Sequence, residues 1–217
     1  MTDAHTHIVR GESRSFICAP FASEARPGDA VFYGCHPWFL GDFDIHTLRV
    51  MLEQHPRAGV GEIGLDRLRD REISPLMRGV FRMQLELAAE FRRPVVLHGA
   101  KCWGEVVKAC MPFVGRIPAF LFHGFSRSGG LVPDIVKLNG FISIGPALLN
   151  DHAVNYRELA KAVPADRLLV ESDATDETAA SLPAVADIAA LLAGLRGVSA
   201  AEMESQLEAN ADRFLAF

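Results

Sequence analysis

Hydrophobic and polar positions follow two different periods along this chain. Short apolar runs rich in β-branched and aromatic residues predict strands. Longer stretches with an apolar residue at every third or fourth position predict amphipathic helices. The predicted strands cover residues 2–8, 15–20, 30–36, 57–63, 94–98, 118–123, 140–145 and 167–172, and the predicted helices cover 43–54, 75–91, 102–113, 129–138, 152–162, 183–196 and 200–215.

The order of these elements predicts the fold class. From the fourth strand onward, strands and helices alternate, which is typical of βα units and a parallel sheet. Eight strands with trailing helices indicate an α/β fold, a TIM-like (β/α)8 barrel. The connections at 9–14 and 21–29 are shorter than the dozen or so residues that a helical crossover usually takes. We therefore expect the first two βα units to lack full covering helices, and either the C-terminal helix or a partner subunit to cover the exposed face.

Length and composition place limits on the kind of protein. A chain of 217 residues with 49% hydrophobic residues is expected to form a single domain over 1–217. No basic, apolar leader opens it and no apolar run approaches about 18 residues, so we expect neither export nor a membrane span. The four cysteines form no CxxC pair and are typical of reduced thiols in a cytoplasmic protein; they are Cys18, Cys35, Cys102 and Cys110.

Candidate chemistry begins in the segment Asp3-Ala4-His5-Thr6-His7. Alternate side chains of a strand point to the same side, so His5 and His7 would present two imidazoles together. Other residues of metal-binding type follow later predicted strands: His36, Glu62, Asp66, His98, His123 and Asp173. Because the C-terminal ends of the strands carry the active site in parallel barrels, this distribution predicts a metal site at that rim.

Eight motifs, in order along almost the whole chain, resemble the TatD family of metal-dependent hydrolases. They are DAHTHI, YGCHPW, GEIGLD, PVVLHG, FHGFSRS, ISIG, ESDAT and the terminal Asn210 to Phe214. The resemblance implies a TIM-like barrel with a two-metal site and an activity as a DNA exonuclease or phosphoester hydrolase. DNA or another phosphoester would then be the substrate, and the protein would act as a monomer or small homo-oligomer.

The same resemblance implies a set of metal ligands in which two divalent ions share Glu62. The first ion would be held by Glu62 with His5, His7 and Asp173, and the second by Glu62 with His98 and His123. Nitrogen and carboxylate ligands suit Zn²⁺, Mn²⁺ or Mg²⁺. A two-metal site can activate a water molecule and clamp a phosphoester, and Asp173 is the candidate general base beside the catalytic Glu62.

Other residues are candidates for supporting roles. His36 is a candidate phosphate contact, although His36-Pro37-Trp38 is also typical of a packed structural turn. Asp66 is expected either to orient a metal-ligating histidine, the usual role of such a carboxylate, or to cap the next turn. Glu171 should share the strand face of Asp173 and support the ligands. His46, His55 and His152 fall on predicted helices or helix ends and are expected at the surface, away from the rim.

The chain departs from the family pattern around the ligands. His98-Gly99-Ala100 stands where common members have His-x-Arg, Phe125-Ser126-Arg127-Ser128 stands for FSGS, and Thr175 replaces a proline. Lys101 and Arg127 are candidate substrate contacts that would restore positive charge at the rim. These differences indicate a short, divergent branch of the family.

Three classes of function remain open from the sequence. The first is a metal-dependent phosphodiesterase or deoxyribonuclease that acts from a strand end on short or single-stranded nucleic acid. The second is an amidohydrolase-like enzyme acting on a small amide, ester or phosphate ester. The net charge of −5 favours such small substrates, because an acidic protein is poorly suited to bind nucleic acid over a broad surface. The third is an inactive barrel that serves as a binding protein, against which the complete ligand set argues.

Overall fold

Eight parallel strands form one sheet in the order of the chain. The computed structural model describes residues 1–9, 14–18, 25–126 and 129–217. Its strands are β1 Thr2–Thr6, β2 Arg14–Cys18, β3 Ala30–Tyr33, β4 Gly59–Asp66, β5 Val95–Ala100, β6 Phe120–Phe122, β7 Gly140–Ile144 and β8 Leu168–Val170. Each strand pairs in parallel with the next, which confirms the predicted α/β barrel.

The helices follow the predicted periodicity. They are α1 Ile45–Gln54, α2 Pro75–Phe91, α3 Trp103–Cys110, α4 Val132–Lys137, α5 Val154–Ala162, α6 Val185–Arg196 and α7 Ala200–Leu215. The predicted helix at 102–113 is too long: α3 ends at Cys110 and a 3-10 turn follows, because Pro112 has no N–H to continue the α-helical bonds. Among the helices in the described ranges, none has the length and apolar character needed to cross a bilayer.

The fourth strand differs from its prediction. The predicted strand 57–63 leaves Asp66 beyond its end, whereas β4 continues to Asp66. A Cβ on Gly64 would lie 2.0 Å from the carbonyl oxygen of His98, so only glycine lets β4 approach β5 this closely.

Backbone hydrogen bonds close the barrel where β8 ends. The Asp173 N–H donates to the carbonyl of His5 at 3.0 Å, and the His7 N–H donates to the carbonyl of Ala174 at 2.9 Å. Asp3 strengthens this junction, since its carboxylate accepts bonds from the backbone N–H and the hydroxyl of Ser172. The closure brings Asp173 beside the two N-terminal histidines.

The C-terminal helix covers the barrel beside its first strands. Most of the two connections predicted to lack full covering helices, at 10–13 and 19–24, lies outside the described residues. α7 packs against β1 and β8. Its Glu208 accepts a hydrogen bond from Thr2 at 2.8 Å, and its Asp212 pairs with Arg14 of β2 at 2.7 Å. Of the two expected covers, the structure therefore provides the C-terminal helix.

One aromatic side chain of α7 fills the barrel below the predicted site. The ring of Phe214 is fully buried and lies 5.6 Å from Phe16, 6.0 Å from Phe32 and 5.6 Å from Phe141. These three rings come from β2, β3 and β7, so the ring of Phe214 joins opposite parts of the sheet. Each of these three aromatic residues comes before the C-terminal end of its strand, so the rings lie below the rim.

We expect Phe214→Ala to destabilise the protein by about 3–5 kcal/mol, the usual range for a buried phenylalanine whose loss leaves a cavity. Thermal unfolding should then shift downward by roughly 6–20 °C for a chain of this size. Phe217→Ala is the control, because that ring is 45% exposed. Equal unfolding temperatures for the two variants would contradict the role assigned to Phe214.

Candidate functional site

A single buried carboxylate lies at the centre of the candidate site. Glu62 is in the interior of β4, and its two oxygens face different groups of histidines. The surrounding side chains come from the C-terminal ends of the other strands, because parallel strands bring those ends to one rim. Residues distant in the chain therefore converge on one carboxylate.

The first group surrounds Oε2 of Glu62. The Nε2 atoms of His5 and His7 each lie 3.4 Å from this oxygen. Oδ1 of Asp173 lies 3.4 Å from Nε2 of His5 and 3.7 Å from Nε2 of His7. Asp173 takes a left-handed backbone conformation, with φ 50°, and its side chain is half exposed.

The second group surrounds Oε1 of Glu62. Nδ1 of His98 lies 2.7 Å from this oxygen and Nε2 of His123 lies 2.6 Å from it. Nε2 of His36 lies 3.6 Å away. The structure thus brings together all six of the residues that the resemblance implies as ligands, and it places His36 beside them.

The charges and unsatisfied atoms of this cluster suit divalent cations. Nε2 of His5 is buried and makes no hydrogen bond to any residue in the described ranges. Burial alone would raise the pKa of Glu62, but the charge and hydrogen bond of His123 and the close nitrogens of His5 and His7 hold it well below its usual range. Burial would lower the pKa of His123, yet Glu62 and Glu171 raise it to about 10. Cations would replace these protons, because metal ligands bind deprotonated.

Comparison with known proteins identifies the family. The model of the family described as TatD related DNase matches residues 21–216. This chain belongs to that family.

Relatives of the TatD family are similar to this chain at modest identity. The Bacillus subtilis protein named as uncharacterized metal-dependent hydrolase YabD is 27% identical over 143 residues, which are 64% of this chain and 56% of that protein. The Klebsiella pneumoniae protein named 3'-5' ssDNA/RNA exonuclease TatD is 34% identical over 125 residues, or 57% of this chain and 48% of that protein. The chain thus spans about half the length of the curated relatives it matches.

A solved TatD structure shares the architecture. The crystal structure of YjjV, a TatD homologue from Escherichia coli K12, superposes with a TM-score of 0.80 at 25% identity, covering 93% of this chain and 85% of that one. The family is one of metal-dependent hydrolases, in agreement with the clusters of histidines and carboxylates around Glu62.

Two acids support the histidines of the TatD site. Oδ2 of Asp66 lies 2.8 Å from Nε2 of His98, so Asp66 contacts the ring nitrogen opposite Glu62, while its Oδ1 accepts the N–H groups of Leu68 and Arg69. Asp66 therefore orients His98 and also caps the turn, so both interpretations of this residue describe it.

Glu171 supports His123 from the other side. Its Oε1 lies 3.8 Å from Nδ1 of His123 and accepts the N–H of Gly124 at 2.7 Å. Its Oε2 accepts the hydroxyl of Ser143. These bonds fix the carboxylate behind the histidine, directly after β8, so that Glu171 and Asp173 both lie beyond the strand whose face they were predicted to share.

Two residues near the site were not predicted there. Sγ of Cys18 lies 3.5 Å from Nδ1 of His5, and the only sequence signal was the end of the second strand. His152 was expected away from the rim, which is wrong. It is exposed, as expected, but it lines a cavity of about 450 Å³ together with Asp173 and Glu171.

The residues predicted to contact substrate lie in different places. Lys101 follows β5 directly and its side chain is exposed, so it lies at the rim without joining the cluster. Arg127 lies outside the described residues. His36 approaches Glu62 as given above, and its Nδ1 accepts the backbone N–H of Trp38 at 3.2 Å.

Proposed function

We propose that this protein is a metal-dependent phosphodiesterase that cleaves single-stranded nucleic acid, in the manner of an exonuclease. The observation that carries the proposal is that the two carboxylate oxygens of Glu62 face two separate groups of nitrogen and oxygen donors. A shared carboxylate of this kind suits two neighbouring divalent ions, the arrangement used by many phosphatases and nucleases. The names of the exonuclease relatives support the choice of nucleic acid over other phosphoesters.

In this proposal, the positions of the donor atoms indicate which ion each residue would bind. Oε2 of Glu62 with His5, His7 and Asp173 would hold one ion, and Oε1 with His98 and His123 the other. Zn²⁺, Mn²⁺ and Mg²⁺ all fit a set of imidazoles and carboxylates. When bound, such ions supply Lewis acidity to phosphoryl oxygens and make water a stronger acid.

The protein's own groups would orient the substrate and move the proton. Asp173 is half exposed at the rim, so its carboxylate can accept a proton from an attacking water. Burial, outweighing the neighbouring charge of Glu62, lowers the pKa of His36 to about 4, which keeps this imidazole neutral. Since its Nδ1 accepts the Trp38 N–H, its proton is on Nε2. His36 would therefore donate a hydrogen bond to a phosphate oxygen.

The cysteines and the net charge bear on where the protein works and how it binds its substrate. Cys18, Cys102 and Cys110 are buried thiols of the described residues, and this supports a reducing, cytoplasmic location. With a net charge of −5, the protein should hold only the few nucleotides nearest its site. Substrate binding should therefore weaken with salt according to a small number of phosphate contacts.

Metal content and hydrolysis test this proposal together. We expect elemental analysis of the purified protein to find about two divalent ions per chain, and the protein to shorten an end-labelled single-stranded oligonucleotide. A chelator should stop the reaction, and Zn²⁺, Mn²⁺ or Mg²⁺ should restore it. Chelator-resistant hydrolysis, or cleavage of small amides and esters without any cleavage of phosphodiesters, would contradict the proposal.

A further inference from the structure

Two aromatic rings lie exposed beside the site. Trp38 is 46% exposed and Phe39 59% exposed, and neither contributes to the buried core. Single exposed apolar residues are common and need no explanation. Here, however, two consecutive rings follow His36, so their position relative to the site sets them apart.

Short-range contacts fix the turn that carries these rings. The Trp38 N–H donates to Nδ1 of His36 at 3.2 Å, and the Phe39 N–H donates to the carbonyl of His36 at 3.0 Å. From the loop after β4, Nη1 of Arg69 donates to the carbonyl of Trp38 at 3.4 Å. The turn is thus held on both sides, and the indole has a defined place on the rim.

The indole is in contact with the histidines around Glu62. Its ring centre lies 4.9 Å from that of His36, edge to face, and 6.4 Å from that of His98. Nδ1 of His98 is in turn 2.7 Å from Oε1 of Glu62. A phosphate bound at the proposed metal site around Glu62 would therefore be separated from the indole by a single imidazole ring.

We propose that Trp38 stacks on a nucleobase next to the scissile phosphate. The inference rests on the proposed function and adds to it the means by which an acidic protein binds nucleic acid. A stacked base contributes affinity irrespective of its sequence, since every base has a π-face, whereas a protein of net charge −5 gains little from a broad phosphate surface. A base inside a duplex is already stacked on both faces, so this contact also selects unpaired ends.

Kinetics with abasic substrates test the stacking directly. We expect Trp38→Ala to raise the KM for a single-stranded oligonucleotide by about 5- to 150-fold, the effect of losing one stacked base, with little change in kcat. Trp38→Phe should restore most of the affinity. A substrate that lacks the base on one side of the scissile phosphate should give the wild-type protein a KM as high as that of Trp38→Ala with the intact substrate. With this abasic substrate, Trp38→Ala and the wild type should have the same KM.

Intrinsic fluorescence gives a measure that is independent of turnover. The chain has two tryptophans, and Trp103 is only 2% exposed, so a bound base should quench Trp38 alone. A phosphorothioate oligonucleotide that resists hydrolysis should quench the emission, and its abasic counterpart should not. Phe217→Ala is the matched control, with a ring exposed to the same degree as Trp38 but outside the site.

The outcomes separate this inference from the proposed function. Hydrolysis of oligonucleotides with the same KM in Trp38→Ala and wild type, or with no quenching, would overturn the stacking role alone. No hydrolysis of any oligonucleotide by the metal-loaded wild-type protein would overturn the proposed function and the stacking role with it.

Discussion

Glu62→Gln is expected to abolish hydrolysis, lowering kcat/KM by at least about 10³-fold, because several kcal/mol of metal-derived stabilisation of the transition state would be lost. The substitution keeps the size of the side chain but removes its negative charge. Both of its oxygens face imidazole nitrogens, from His5 and His7 on one side and His98 and His123 on the other. An amide turns an NH2 group toward one ligand group and a neutral oxygen toward the other, so one group should lose its shared oxygen ligand and the other its negative charge.

Metal analysis distinguishes this effect from a general loss of structure. The Glu62→Gln protein should contain fewer than two ions per chain while keeping the circular dichroism spectrum of the wild type. Glu86→Gln is the control, since Glu86 is exposed on α2 and pairs with Arg82. Full metal content together with wild-type activity in Glu62→Gln would show that the ligand assignment is wrong.

Asp173→Asn is expected to lower kcat by about 10²- to 10⁴-fold, the range for loss of a general base. Asn has nearly the same shape and keeps one oxygen near Nε2 of His5, which lies 3.4 Å from Oδ1 of Asp173. It cannot accept the proton of an attacking water. We therefore expect a larger effect on kcat than on KM, measured with the same labelled oligonucleotide.

A nearby acid supplies the comparison for Asp173. Asp176→Asn changes an exposed carboxylate three positions along the chain and should leave both kinetic constants close to those of the wild type. If Asp173→Asn lost its metal ions and its substrate affinity together, Asp173 would act as a ligand only. The base would then have to be sought among the other groups at the rim.

Local features of the chain were sufficient to predict most elements. The bounds of α2 agree with the prediction because Ser74 caps the helix and Pro75 occupies its first turn. The capping box of Ser199 and Glu202 likewise marks the start of α7. Signals of this kind depend on neighbouring residues, so the sequence alone contains them.

Features that depend on distant strands could not be predicted in the same way. The predicted fourth strand ends at 63, but β4 continues past Gly64, where β5 lies too close for any side chain. The contact between Cys18 and His5 depends on how β1 and β2 are aligned. His152 reaches the rim through the path of the turn before α5.

The sequence by itself determined the strand and helix pattern, the family, and the residues whose chemistry suits metal binding. It did so because periodicity, caps and motif spacing are properties of short segments. Only the tertiary structure decided that Oε1 and Oε2 of Glu62 face separate groups, that Nδ1 of His36 accepts the N–H of Trp38, and that Trp38 is exposed beside them. Those relations depend on the register of eight strands and on hydrogen bonds between segments far apart in the chain, which no local pattern specifies.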